Sequence, residues 1–104
     1  MAAPYNPPVK NEDFVIYVGL NDMSNSGRLK SNPTIAAGDF QISKDGGSFA
    51  NLTTLPAVTP ASSYALKITL SSTEMNADNI IVVGHDQTDP PEWADVFLSI
   101  PTTA

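Results

Sequence analysis

The sequence predicts an all-β protein: a single antiparallel β-sandwich, immunoglobulin-like in size and rhythm, with about seven short strands. Three observations predict it. Apolar side chains alternate with period two in several segments. Residues that favour turns separate those segments at short intervals. No segment carries an apolar stripe of helical spacing over three turns.

Residues 1–13 form an extended N-terminal arm, and residues 14–104 form the sandwich domain. Pro4, Pro7 and Pro8 remove backbone donors from the arm and favour extended chain. The arm either lies over something or hangs free. Phe14 to Leu20 follows as a strand. Phe14, Ile16, Val18 and Leu20 share one face, and Val15, Tyr17 and Gly19 the other, so the strand is apolar on both sides. Asn21 to Gly27 (NDMSNSG) is turn chemistry throughout. Arg28 to Ser31 reads as a short polar edge, since Pro33 argues against a central strand there.

In Thr34 to Ser43, Phe40 and Ile42 point one way and Gln41 and Ser43 the other. Lys44-Asp45-Gly46-Gly47 then signals a hairpin, because both central positions need φ > 0. Ser48 to Thr53 pairs back. Its apolar residues, Phe49 and Leu52, do not share a period-two face, which points to a bulge or an early bend. Leu55 to Ser63 is a connection with two prolines. Tyr64 to Leu70 is the cleanest strand, with Tyr64, Leu66, Ile68 and Leu70 facing the core. Ser71 to Glu74 has capping-box spacing and predicts one short helical turn near residues 72–76, with Met75 dropping into the core. Asn79 to Gly84 (NIIVVG) reads as a central strand buried on both faces. His85 to Glu92 is a loop, and Trp93 to Ile100 the last strand. Ala94, Val96, Leu98 and Ile100 take one face of it, and Trp93, Asp95, Phe97 and Ser99 the other.

Composition narrows the function. The chain has 104 residues, one domain's worth, and a formal net charge of -6 from 5 basic and 11 acidic residues. The five cations, Lys10, Arg28, Lys30, Lys44 and Lys67, are scattered along the sequence, which argues against nucleic acid as a partner. No basic amphipathic stretch or long apolar run points to a membrane, and Met1 to Pro8 does not read as a signal peptide. With 0 cysteines there is no disulfide framework and no thiol chemistry, which fits a reducing cytosol.

Candidate chemistry is sparse, and the chain reads as a non-enzyme without cofactor or metal. His85-Asp86 lacks a Gly-x-Ser-x-Gly nucleophile and reads as the end of a strand and the start of a turn. Asp86, Asp89 and Glu92 could offer oxygen ligands to calcium, but Pro90-Pro91 stiffens the loop and no EF-hand pattern is present. Asn51-Leu52-Thr53 matches the glycosylation acceptor pattern by chance. Trp93 and Phe97 leave two readings open. Either their strand is buried on both faces, or they form a contact patch for a partner. Tyr5, Pro7 and Pro8 on the arm, and Tyr17 on the second face of the first strand, are the other candidate contacts.

A resemblance then emerges from the wording of the chain. Asn32-Pro33-Thr34-Ile35-Ala36-Ala37-Gly38-Asp39-Phe40 is followed by Ser43-Lys44-Asp45-Gly46-Gly47-Ser48-Phe49-Ala50-Asn51-Leu52. Leu55-Pro56-Ala57-Val58-Thr59-Pro60-Ala61, Thr73-Glu74-Met75-Asn76-Ala77-Asp78-Asn79 and Glu92-Trp93 complete the series. It resembles a family of small domains encoded in tailed-bacteriophage genomes, over residues 14–100. The resemblance implies a β-sandwich component of the phage particle, with no catalytic residues to carry over.

The sequence reading is therefore a virion structural protein made in the host bacterial cytoplasm. First comes a capsid decoration (cement) protein on the outer surface of the head. A tail, neck or baseplate accessory or adaptor is the alternative, and a carbohydrate-binding module is the third. The chain stops soon after its last strand, which argues for a stand-alone decorator over a fibre. The expected partners are the major capsid protein or other virion proteins, and homo-oligomerisation is compatible with the same reading.

Overall fold

A computed structural model describes residues 7–25 and 27–103. These residues form two antiparallel sheets and no helix. One sheet orders β1 (Phe14–Gly19), β5 (Ala65–Leu70) and β4 (Ala57–Val58). The other orders β3 (Ala50–Asn51), β2 (Phe40–Lys44), β6 (Asn79–Gly84) and β7 (Val96–Pro101). Both sheets contribute to one hydrophobic cluster. Phe14, Leu66, Ile68 and Leu70 come from the first sheet, and Phe40, Ile42, Ile80, Val82 and Ile100 from the second.

The period-two reading holds for the inner faces. In β1, Phe14, Ile16 and Val18 pack inward, but Val15 and Tyr17 face solvent, so β1 is apolar on both sides without being buried on both. The physical reason is its place at the edge of the smaller sheet, where nothing covers the outer face. The run Asn79 to Gly84 is a central strand between β2 and β7, as expected. Its Ile80 and Val82 are buried, while Ile81 and Val83 stay half-buried on the outer face. Tyr64 departs from the expected core position. It precedes β5, follows Ser62 at φ 58°, and is 57% exposed.

The Asp-Gly hairpin forms with φ of 50° at Asp45 and 79° at Gly46, closed by Gly47 N–H to Lys44 O at 2.9 Å. The turn sets Lys44 opposite Gly47, yet the β2–β3 ladder sets Ile42 opposite Ala50. One residue is therefore extra on the return side, and the expected irregularity is a bulge between Gly47 and Ala50. Leu52 packs against the core while Phe49 stays outside.

The capping box after β5 is made in both directions. Ser71 N–H donates to Glu74 Oε1 at 2.9 Å, and Glu74 N–H donates to Ser71 Oγ at 3.2 Å. Residues 72–75 are a hydrogen-bonded turn that does not grow into a helix. Asp45 explains the stop. Its carboxylate accepts the N–H groups of Asp78, at 3.1 Å, and Asn79, at 2.8 Å, and so pulls the chain into β6. Met75 is fully buried, as its place after the capping box predicts.

The core is anchored by an aromatic stack. Phe40 and Trp93 lie with ring centroids 5.4 Å apart and planes inclined by 26°. Phe40 also lies over Gly84, its cross-strand partner in β6. A Cβ on Gly84 would sit 2.6 Å from Phe40 Cε2, so only glycine admits the ring. The expectation is that Gly84→Ala lowers stability by about 1–3 kcal/mol through overpacking. Trp93→Ala is expected to cost about 3–5 kcal/mol, or at least about 12 °C in melting temperature. Phe97→Ala, on the surface, is expected to cost no more than about 0.5 kcal/mol. Thermal melts followed by circular dichroism check all three.

Candidate functional site

The candidate contact residues do not converge on one patch. Trp93 is 1% exposed, its indole Nε1–H donates to Thr34 O at 3.3 Å, and it belongs to the core. The alternation that paired it with Phe97 fails because Trp93 lies outside β7, in a segment held by other partners. Glu92 N–H donates to Asp86 Oδ2 at 2.7 Å, Met23 N–H to Glu92 O at 2.9 Å, and Ala94 N–H to Asn21 O at 3.0 Å. These bonds turn the indole inward, away from any partner surface. Phe97 is in β7 and 66% exposed. It continues a row across the outer face of the larger sheet, through Val83, Gln41 and Asn51.

Tyr17 is 54% exposed on the outer face of the other sheet, in a row with Lys67 and Ala57. The two sheets share their inner faces, so Tyr17 and Phe97 point to opposite sides of the molecule. Tyr5 lies outside the described residues. Pro7 and Pro8 are half-buried, and Pro8 O accepts Thr103 N–H at 2.9 Å. Val9 and Thr103 form a parallel bridge, which ties the arm to the segment beyond β7.

The structure adds a groove that the sequence reading missed. Tyr17, Leu29, Pro60 and Tyr64 line an open apolar groove of about 320 Å³. Leu29 forms one wall by lying over Gly19, where a Cβ would meet Leu29 Cδ2 at 2.8 Å. The hairpin that carries Leu29 is set by Asp22, whose carboxylate accepts Ser24 N–H and Ser24 Oγ–H, both at 2.9 Å. Those bonds hold its pKa below the ordinary value. The two tyrosines are far apart in sequence, and only Gly19, at the end of an alternating strand, hinted at a close approach.

Of the three carboxylates that could have offered ligands to calcium, Asp86 is a structural clamp, and Glu92 Oε1 accepts Thr34 N–H at 3.4 Å. Asp86 is buried, and its Oδ1 accepts Thr88 N–H at 2.9 Å while its Oδ2 takes Glu92. Burial opposes its charged form, but the backbone donors of Thr88 and Glu92 outweigh it and hold the pKa below the ordinary value. Asp39, also buried, accepts Ala36 N–H at 2.9 Å and Gln87 N–H at 3.1 Å. Among the described residues no three such side chains converge as a metal site. His85 pairs with Asp95 through Nδ1 at 2.7 Å, and not with its neighbour Asp86. Both are largely exposed, and among the described residues no hydroxyl is bonded to the His85 ring.

The exposed apolar and aromatic residues thus lie on two faces, with Tyr17, Leu29 and Tyr64 on one and Phe97 on the other. No protein-family model, no curated protein and no solved structure matches the chain.

The clamp at Asp86 has a pH signature. Its lowered pKa means that its stabilisation is complete above about pH 4, the unfolded carboxylate range, and fades as pH falls through the folded value. Asp86→Asn is expected to cost about 1–3 kcal/mol at neutral pH. The gap to the parent chain should then narrow on acidification below about pH 4. Urea melts at a series of pH values measure both effects.

Proposed function

We propose that this chain is a structural protein of a tailed-bacteriophage particle, and first of all a decoration protein on the outer surface of the head shell. The observation that carries the binding role is the groove of Tyr17, Leu29, Pro60 and Tyr64, an open apolar surface on an acidic chain. The phage context rests on the sequence resemblance over residues 14–100. The virion reading places the chain in the particle after synthesis in the host cytoplasm.

The strand order supports an immunoglobulin-like sandwich. Naming β1, β5 and β4 as strands B, E and D leaves β3, β2, β6 and β7 as C′, C, F and G, which is the immunoglobulin sheet division without a leading A strand. Such a body suits a protein that docks on a lattice. Each copy adds a modest contact, and repetition over the shell supplies the total. The partner on this reading is the major capsid protein, with other virion proteins in the tail, neck or baseplate role.

A carbohydrate-binding role is the second reading, favoured by the two tyrosines that border the groove. Fold by itself is a poor warrant for it. Because Trp93 is buried, a sugar would be read by Tyr17 and Tyr64, through their ring proton shifts on titration with glycans.

The copy number in purified virions tests the proposal, measured by quantitative mass spectrometry against the major capsid protein. A decoration role predicts a ratio near one, or a simple fraction of one. A dozen copies or fewer would overturn decoration in favour of the neck, tail or baseplate. Absence from the particle would overturn the virion reading.

A further inference from the structure

The Tyr17–Tyr64 groove differs from the rest of the chain in charge as well as in polarity. The sequence carries 5 basic and 11 acidic residues, yet no acidic side chain lines the groove. Cations border it on two sides. Lys67 is the cross-strand partner of Tyr17 on the outer face of its sheet. Arg28 lines an adjoining hollow that shares Leu29 and Tyr64 with the groove. Neither Arg28 nor Lys67 forms an ion pair among the described residues. Asp22 turns instead to Ser24 and lines a different hollow with Met23 and Ala94. The groove therefore suits an apolar segment that carries a negative charge.

The chain itself exposes such a segment. Between β6 and β7, Asp86 closes a loop with both carboxylate oxygens, Oδ1 on Thr88 N–H at 2.9 Å and Oδ2 on Glu92 N–H at 2.7 Å. Asp89, Pro90 and Pro91 are left at its tip, all three exposed. Asp89 forms no ion pair among the described residues. Adjacent prolines offer a stiff apolar surface, and proline segments pack into grooves lined by aromatic rings. A loop held at both ends also loses little further freedom on docking. The other proline pair is less suited. Pro7 and Pro8 are half-buried, Pro8 O is already bonded to Thr103, and neither flanking residue is acidic.

We propose that the groove of one copy receives the Asp89-Pro90-Pro91 tip of a second copy, with the prolines between Tyr17 and Tyr64 and Asp89 beside the cations at the rim. Within a single chain the groove stays open and the tip stays exposed, so the two do not satisfy each other in one copy. The contact joins two different patches, and every copy carries one of each. Both copies carry a net charge of -6, so the overall charge opposes association and the attraction is local.

Like the proposed function, this contact rests on the groove being a binding surface, and it adds the occupant. The copy number in virions does not depend on it, and the test uses the isolated full chain. Sedimentation velocity over a concentration series should show reversible self-association. Tyr64→Lys spoils the groove, and Asp89→Lys reverses the charge of the tip. Each should weaken association at least about tenfold, and both positions are exposed, so the fold is kept. Mixed in equal amounts, the two variants should associate again and stop at twice the monomer mass, because one keeps its tip and the other its groove. A chain that stays monomeric into the millimolar range overturns the proposal and gives the groove to a different partner. A mixture no more associated than its separate components overturns it as well. Association that survives either variant assigns the self-contact to another surface and also overturns it.

Discussion

Backbone N–H groups bonded to carboxylates are the constraint on which the rest of this fold depends. The chain has few cations, and its acidic residues have little to pair with. Four of them each take two backbone N–H groups. Asp39, Glu74 and Asp86 are buried, and Asp45 sits at a hairpin tip. Each accepts two N–H groups, and each links loops that are separate in sequence or closes a tight turn. Charge-assisted bonds of this kind are stronger than neutral ones and make burial of the charge tolerable. Among the described residues no buried side-chain polar atom is left without a partner.

The clamps also decide which residues reach the surface. Glu74 ties the turn after β5 to Thr53, at 2.9 Å, and thereby brings the end of the β2–β3 hairpin over the core. Asp86 draws Glu92 inward, and Trp93 follows into the stack on Phe40. What stays outside is then a consequence of what the carboxylates hold. Tyr17, Leu29 and Tyr64 remain on one side of the body and Phe97 on the other. On the proposed virion reading, two separated apolar faces would let each copy contact two neighbours at once.

The strands were legible in the sequence wherever alternation and burial coincide. β1, β2 and β5 fall where period two places them, β6 falls where its β-branched run places it, and the Asp-Gly turn falls where its φ requirement places it. The less legible parts are those decided by distant partners. β4 is two residues between prolines, too short to leave a period. Trp93 lies outside the strand in which alternation puts it, because Asp86 and Asn21 hold the backbone on either side of it. The capping box was readable because both of its bonds are local. The failure of a helix to follow it was not, because Asp45 lies more than thirty residues away from the backbone it captures. The groove needed the end of β1, the Leu29 hairpin and the connection between β4 and β5 to meet, and no single window of sequence contains them.

The bridge between Val9 and Thr103 has a mechanical meaning. The two segments run in the same direction, so tension applied between the arm and the last strand pulls them past each other along one line. Thr103 N–H to Pro8 O and Lys10 N–H to Thr103 O are then loaded together in shear, and cannot be unzipped one after the other. Behind them stands the β6–β7 ladder, which Thr102 N–H extends to Asp78 O. A small body tethered through both of its ends would resist stretching at this corner first, before any strand of the core is asked to move.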